Sequence, residues 1–295
     1  MRAGLALLAL AALAFGCAER GAVVEKPKPA AAPAALAPAA QPLSPTAEGE
    51  PARHPARRRR APHPAALPWR EDCAYAVGER LTFAVQYFNV TAGYATLSVA
   101  EQTTQTGQAC YHIVAEARTH PFFETFFKVR DRIESFIDAR ALVPWRYEKH
   151  LREGGFSADS FFIYDQQGHH LIDDRGHSVT MAAESQDVLS CFYLFRTLPG
   201  MQPGASAVIP VAADDKQTYE VLVKVLRREH VQVLAGGFDC LVVQPLLRFQ
   251  SVFQQKGDVL LWISDDERRL PVKITSKIAI GSINIELQSA DWVRP

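Results

Sequence analysis

The sequence predicts a mostly β fold: a single curved antiparallel sheet forming an open or partly closed barrel, with one or two short helices. Three observations carry this. In the closing stretch, residues 257–292, Val272, Ile274 and Ile278 alternate with Lys273, Thr275 and Lys277, and Ile283, Ile285 and Leu287 alternate with Ser282, Asn284 and Glu286. Successive strand side chains point to opposite faces, so each segment has one apolar and one wet face. The same alternation recurs from Leu81 onward in a dozen or more short segments separated by turn residues. Only residues 187–196 carry a convincing helical stripe, through Val188, Leu189, Phe192 and Phe195.

The chain in order supports this. Leu81, Phe83, Val85 and Tyr87 mark one strand, Ala95, Leu97 and Val99 the next, and Cys110–Arg118 a third. Pro121-Phe122-Phe123-Glu124-Thr125-Phe126-Phe127 breaks the pattern, with Phe pairs four apart as on a helical turn. Strands are expected at 130–138, 145–152, 157–164 and 169–173. Ser185 or Asp187 can cap the helix, and Leu198-Pro199-Gly200 stops it. Four more strands follow at 207–211, 219–226, 230–234 and 238–247, with Gly236-Gly237 turning the last two and Pro245 suited to a strand end or edge. Val259–Ile263 opens the closing meander, with Asp265-Asp266-Glu267 as its first turn.

What precedes this β-rich domain (68–295) is of a different kind. Residues 1–16 read as a signal peptide: Arg2, then an apolar run from Leu5 to Phe15. That run is shorter than the roughly 20 residues that span a bilayer. Ala14-Phe15-Gly16-Cys17 resembles a bacterial lipobox, so Cys17 is the expected lipidation site. The Ala that follows it implies the outer membrane by resemblance to the enterobacterial sorting rule. The expected location is the cell envelope, facing the periplasm. Residues 18–67 are an Ala/Pro-rich linker that cannot bury a core, a tether to the anchored Cys17. Its basic run Arg57–Arg60 is a solvated cluster or a contact for anionic lipid or cell-wall polymer.

Charge excludes one class of partner. The tether from 17 to 67 carries a net +4, whereas residues 68–295 hold 23 basic and 28 acidic side chains. A domain of net negative charge is a poor nucleic-acid binder. The sequence holds no nucleophile, phosphate-loop or zinc-protease motif, so no cofactor and no catalytic residue is assigned. His169-His170 with Asp173-Asp174, and Asp265-Asp266-Glu267, read as polar turn residues rather than metal ligands. His120 beside Pro121 is a candidate functional group, weighed against a structural role.

Four cysteines lie in the domain, and an oxidising compartment permits bridges. Cys73 with Cys110 is the expected pair, both near edges of the opening meander; Cys191 and Cys240 are buried thiols or a second bridge. Phe122, Phe123, Phe126 and Phe127, with Trp145 or Trp262, are the candidate apolar wall of a ligand site, against the plainer reading that the four rings fill the core.

Several motifs resemble a known family. Gly78–Phe83, Ala92–Leu97, Pro121–Phe127 with Asp131–Glu134, Phe238–Cys240, Trp262–Val272 and Ile280–Ile283 match, in this order, the domain-of-unknown-function family 3108. The resemblance covers 73–292 and implies an exported bacterial protein with no established activity. Cys73, Cys110 and Cys191 look like additions to its pattern. The expected architecture is also similar to periplasmic lipoprotein carriers, which hold acyl chains in an incomplete barrel. Two functions follow: a non-catalytic binder of an apolar or amphipathic, lipid-like ligand, or a scaffold contacting cell-wall polymer or another envelope protein.

Overall fold

The structure is a computed structural model that describes residues 73–105, 107–212, 218–249, 252–254, 259–277 and 281–291. Cys17, the signal segment and the tether lie outside the described residues. The strands are β1 (Arg80–Tyr87), β2 (Val90–Gln105), β3 (Gln108–Thr119), β4 (Arg130–Asp138), β5 (Pro144–Glu153), β6 (Phe156–Asp165), β7 (His170–Asp173) and β8 (Ser178–Thr180). After helix α1 (Val188–Thr197) come β9 (Ser206–Ala212), β10 (Thr218–Val233), β11 (Gly236–Phe249), β12 (Val252–Gln254), β13 (Val259–Ser264), β14 (Pro271–Lys277) and β15 (Ser282–Asp291). They form one antiparallel sheet in the order β8-β7-β6-β5-β4-β3-β2-β1-β15-β14-β13-β11-β10-β9, with β12 beside β11. The closing meander therefore sits at the middle of the sheet: β15 pairs with β1, joining the last strand to the first.

Two expected strands, 219–226 and 230–234, are one. β10 runs unbroken through Leu226, where a register shift absorbs the residue that spoiled the alternation. Pro245 lies beyond the last residue of β11 that pairs with β13, so its missing N–H removes no ladder bond on that side.

The sheet is rolled but not closed. Tyr164 on β6 donates its hydroxyl to the carbonyl of Ala212, at the far end of β9, at 2.6 Å. Gln186 makes a single parallel bridge to Val211, with N–H···O contacts of 2.9 Å to Pro210 and 3.0 Å from Ala212. Among the described residues these contacts, rather than a strand ladder, join the two arms. One apolar cluster fills the inside, drawing on both arms and on α1. The helix is buried almost all round, including Leu189, Cys191, Phe192, Tyr193 and Phe195. An apolar surface on every side makes a helix a filler rather than a cover.

Capping fixes where α1 starts. The Asp187 carboxylate accepts from the N–H groups of Leu189 (2.7 Å) and Ser190 (2.8 Å). Ser190 Oγ accepts in return from the Asp187 N–H, completing a capping box. Leu198 ends the helix in an extended conformation, which Pro199 imposes on the residue before it.

The cysteine expectation is corrected. No disulfide joins Cys73 to Cys110; all four cysteines of the domain are buried thiols. Cys110 lies within the β3 ladder, between Thr103 of β2 and Asp138 of β4, and its thiol bonds the Gln108 carbonyl. Burial pushes the Cys110 thiol up to about 12, so little thiolate is present to start disulfide exchange.

Candidate functional site

Strand registers sort the turns into two ends. At one end lie Tyr87 with Val90, Arg118 with Arg130, Glu153 with Phe156, and Lys277 with Ser282. The opposite end holds the segment before β1, the β13–β14 turn and the C-terminus of α1, which Arg196 ties together.

Arg196 is fully buried and forms a bidentate ion pair with Glu79 at 2.7 Å for each bond. The Nη2 that holds Glu79 also reaches the carbonyls of Ala74 and Arg268 at 3.3 and 3.0 Å, and Nε reaches that of Arg269 at 3.1 Å. The rings of Tyr75 and Tyr193 lie 5.5 and 5.1 Å from the guanidinium carbon. Burial works against the charge on Arg196, but the Glu79 carboxylate outweighs it and holds the guanidinium protonated. A guanidinium so fully engaged clamps loops together and leaves nothing aimed at a ligand. Burial likewise pushes Tyr75, Tyr193 and Cys191 far above their ordinary ranges, so none is poised as a nucleophile.

The other end is aromatic. Pro121–Phe123 forms a single 3-10 turn, and His120 caps it by accepting the Phe122 N–H at 3.2 Å. The His120 ring lies 5.7 Å from Tyr94 and 6.2 Å from Phe123, a structural placement. The plainer reading of the Phe cluster as core is overturned, because the segment lies outside the sheet between β3 and β4. Phe122 is 70% exposed and Phe126 81%, while Phe123 is half-buried and Phe127 rests against Gly154.

The structure does not bring the two tryptophans to these rings. Trp145 sits at the other end of β5, where its indole N–H donates to Asp138 at 3.0 Å. Trp262 shares a face of the sheet with Lys273 and Glu286, opposite to the face that Leu261, Ile274 and Ile285 present to the interior.

Instead, the registers add residues that sequence reasoning missed. Phe88 (64% exposed) and Val90 lie at the β1–β2 tip, and Phe156 (54%) at the β5–β6 tip. Six of the nine exposed large apolar residues described thus share one end: Phe88, Val90, Phe122, Phe126, Phe127 and Phe156. Phe88 also has a φ of 48°, in the left-handed region that bulky residues avoid. The two-residue turn Phe88-Asn89 demands that conformation, for which Asn-Gly is preferred. A signal was therefore legible: Tyr87-Phe88-Asn89-Val90 places an aromatic ring where a glycine or polar residue is expected. Exposed cations accompany the rings, namely Arg118, Lys128, Arg130 and Lys277. Arg130 pairs with Glu124 at 2.9 Å, and Arg118 lies 5.6 Å over the Tyr94 ring.

The two acidic clusters are turn residues. Asp173 accepts from the N–H groups of Arg175 and His177 and from the His177 ring. Asp266 accepts from Ser264 Oγ and from Arg268.

The crystal structure of a β-barrel-like protein of the domain of unknown function DUF1849 from Brucella abortus is similar in fold: TM-score 0.52, 9% identity, 75% of this chain and 100% of that one. Two further matches are a candidate lipoprotein from Parabacteroides distasonis (TM-score 0.33, 12% identity, 74% and 98% of the two chains) and a candidate exported protein with a YmcC-like fold from Bacteroides fragilis (0.29, 11%, 74% and 97%). No curated protein matches the sequence. The family model for proteins of unknown function DUF3108 matches residues 82–288, so the chain belongs to that family.

Proposed function

We propose that this protein is a non-catalytic envelope lipoprotein that binds an apolar or amphipathic ligand at the aromatic end of its rolled sheet. One observation carries the reading. Exposed aromatic side chains converge at the end opposite the Arg196 clamp, on three separate tips. Isolated exposed apolar residues need no explanation, whereas a group of them at one end marks a contact site. The test is native mass spectrometry of protein purified from membranes, followed by titration with a fluorescent fatty acid. Phe126→Ala is expected to bind the probe more weakly while its stability stays within about 0.5 kcal/mol of wild type, the usual range for an exposed site. No co-purified lipid and no saturable probe binding by the wild type would refute the ligand reading. The scaffold reading would then lead, since the exposure of Phe122 and Phe126 also suits contact with a cell-wall polymer or envelope protein.

Anchoring belongs to the same proposal. Acylation of Cys17 and removal of residues 1–16 would place the protein on a periplasm-facing membrane surface, the outer membrane by the sorting rule. Cys17→Ser is expected to shift it from the membrane to the soluble fraction after a high-salt wash, which removes charge-dependent contacts but not an acyl anchor. Unchanged fractionation, with no lipid found on the native chain, would show the anchor to be wrong.

A further inference from the structure

We infer that the aromatic end docks on a bilayer surface carrying anionic headgroups, inserting Phe122, Phe126 and Phe156 among the acyl chains while Lys128 and its neighbouring cations meet the phosphates. The inference rests on the ligand reading above and names the physical form of the ligand, a lipid leaflet.

Two features favour a membrane over a protein partner. The first is shape. The rings project from three separate tips: the β1–β2 turn, the β3–β4 connection and the β5–β6 turn. These tips are linked sideways. Phe88 packs over Gly281, the His120 N–H bonds the Ala92 carbonyl at 2.8 Å, and Phe127 lies on Gly154. The result is a row of exposed rings on neighbouring tips, and a fluid leaflet accepts such a row without shape complementarity. The second is charge. The described domain is acidic overall, yet Arg118 and Lys128 are exposed beside these rings, Arg130 is paired with Glu124, and the carboxylates of Asp131 and Glu153 at the same end are buried away from the surface. Cations flanking protruding apolar side chains are the combination that binds anionic lipid surfaces. Each ring moved from water into the acyl boundary multiplies partitioning roughly tenfold or more. Each added cation near an anionic surface contributes about fivefold.

The left-handed Phe88 backbone fits the same account. A strained turn that holds a large ring outward is the kind of local conformation retained for contact rather than for stability.

The experiment is vesicle flotation of the folded protein without its acyl group (Cys17→Ser). It uses vesicles of phosphatidylcholine alone and of phosphatidylcholine with phosphatidylglycerol. The expected result is binding to the anionic vesicles, weakened by salt and at least roughly tenfold lower for Phe122→Ser/Phe126→Ser. Lys128→Glu should weaken it several-fold. Leu234→Ser, exposed at the opposite end, serves as the control and should bind as wild type. Denaturation midpoints near wild type would show that the variants fold. Absence of vesicle binding, or equal binding by the double Phe variant, overturns the inference. Saturable uptake of a monomeric fatty acid without vesicle binding would overturn it too, while leaving the ligand reading intact. Concentration-dependent dimerisation abolished by the Phe variant, again without vesicle binding, would assign the surface to a second copy of this chain instead.

Discussion

Replacing Arg196 by Met, or Glu79 by Leu, is expected to destabilise the domain by ~3–5 kcal/mol, the effect of removing one partner of a buried ion pair. The measure is the denaturant midpoint at unchanged slope. Both side chains are wholly buried, so the survivor has no water to turn to. The two losses differ in kind. Without Arg196, the Glu79 carboxylate is stranded, and the carbonyls of Ala74, Arg268 and Arg269 lose their donor. Without Glu79, the guanidinium keeps those three carbonyls and its two tyrosine neighbours. Arg196→Met should therefore be the worse of the two. The double variant Arg196→Met/Glu79→Leu should recover at least ~2 kcal/mol relative to the sum of the singles, because no unpaired charge remains. It should not reach wild type, since unpaired buried carbonyls still count for about 1 kcal/mol or more each. Arg196→Lys should also be destabilising, because an ammonium cannot reproduce the fork that grips both Glu79 oxygens. Strict additivity of the two single variants would show that the pair is not a unit.

None of this clamp was legible in the sequence. Arg196 occupies the last turn of a predicted helix, where a basic residue ordinarily meets solvent and the helix dipole. Its partner lies 117 residues earlier, in the segment that leads into β1. Alternation reports which face of a strand is apolar, but not which loop will close over which helix end. By contrast, the closing meander, the opening meander and the start of α1 were readable, because each depends on local rules: period two, turn residues and a side-chain cap.

The aromatic end shows the same division. The density of Phe122, Phe123, Phe126 and Phe127 singled the segment out, and Pro121 located the break in the strand pattern. Whether those rings face inward was not decidable, since a helical spacing of four is the same on an inner or an outer turn. Phe88 and Phe156 were missed because they are single residues at strand ends, far apart in sequence. Only the register of β1 with β2, and of β5 with β6, carries them to the end where the Phe cluster lies. Trp145 and Trp262 were assigned on residue type alone, and the registers place them elsewhere.

Asp187 should make the domain less stable as pH rises from about 4 to about 6. Burial pushes its carboxyl up to about 6 against the hydrogen bonds from Ser135, Ser190 and Leu189, which favour the charged form. The folded-state value thus lies above the ordinary 3.8. Between the two values the folded protein holds a proton that the unfolded chain has released, so folding weakens with rising pH. A displacement of about two units corresponds to roughly 3 kcal/mol between pH 4 and neutrality. Carboxylates whose values are lowered, such as Asp266, act in the opposite direction at lower pH, so the useful quantity is a difference between proteins. Asp187→Asn can still accept the Leu189 and Ser190 N–H groups but cannot ionise. It should match wild type near pH 4 and exceed it by up to roughly 3 kcal/mol at pH 7. Asp187→Ala removes the cap and strands Ser135, whose hydroxyl now donates to Asp187 at 2.6 Å, so it should be weaker than Asp187→Asn at every pH. Because Gln186 precedes Asp187 and accepts the Ala212 N–H, hydrogen exchange at Ala212 should follow the same curve, with the contact between the two arms better protected in acid. A wild-type minus Asp187→Asn difference that stays constant from pH 4 to 7 would show that Asp187 ionises as an ordinary carboxylate.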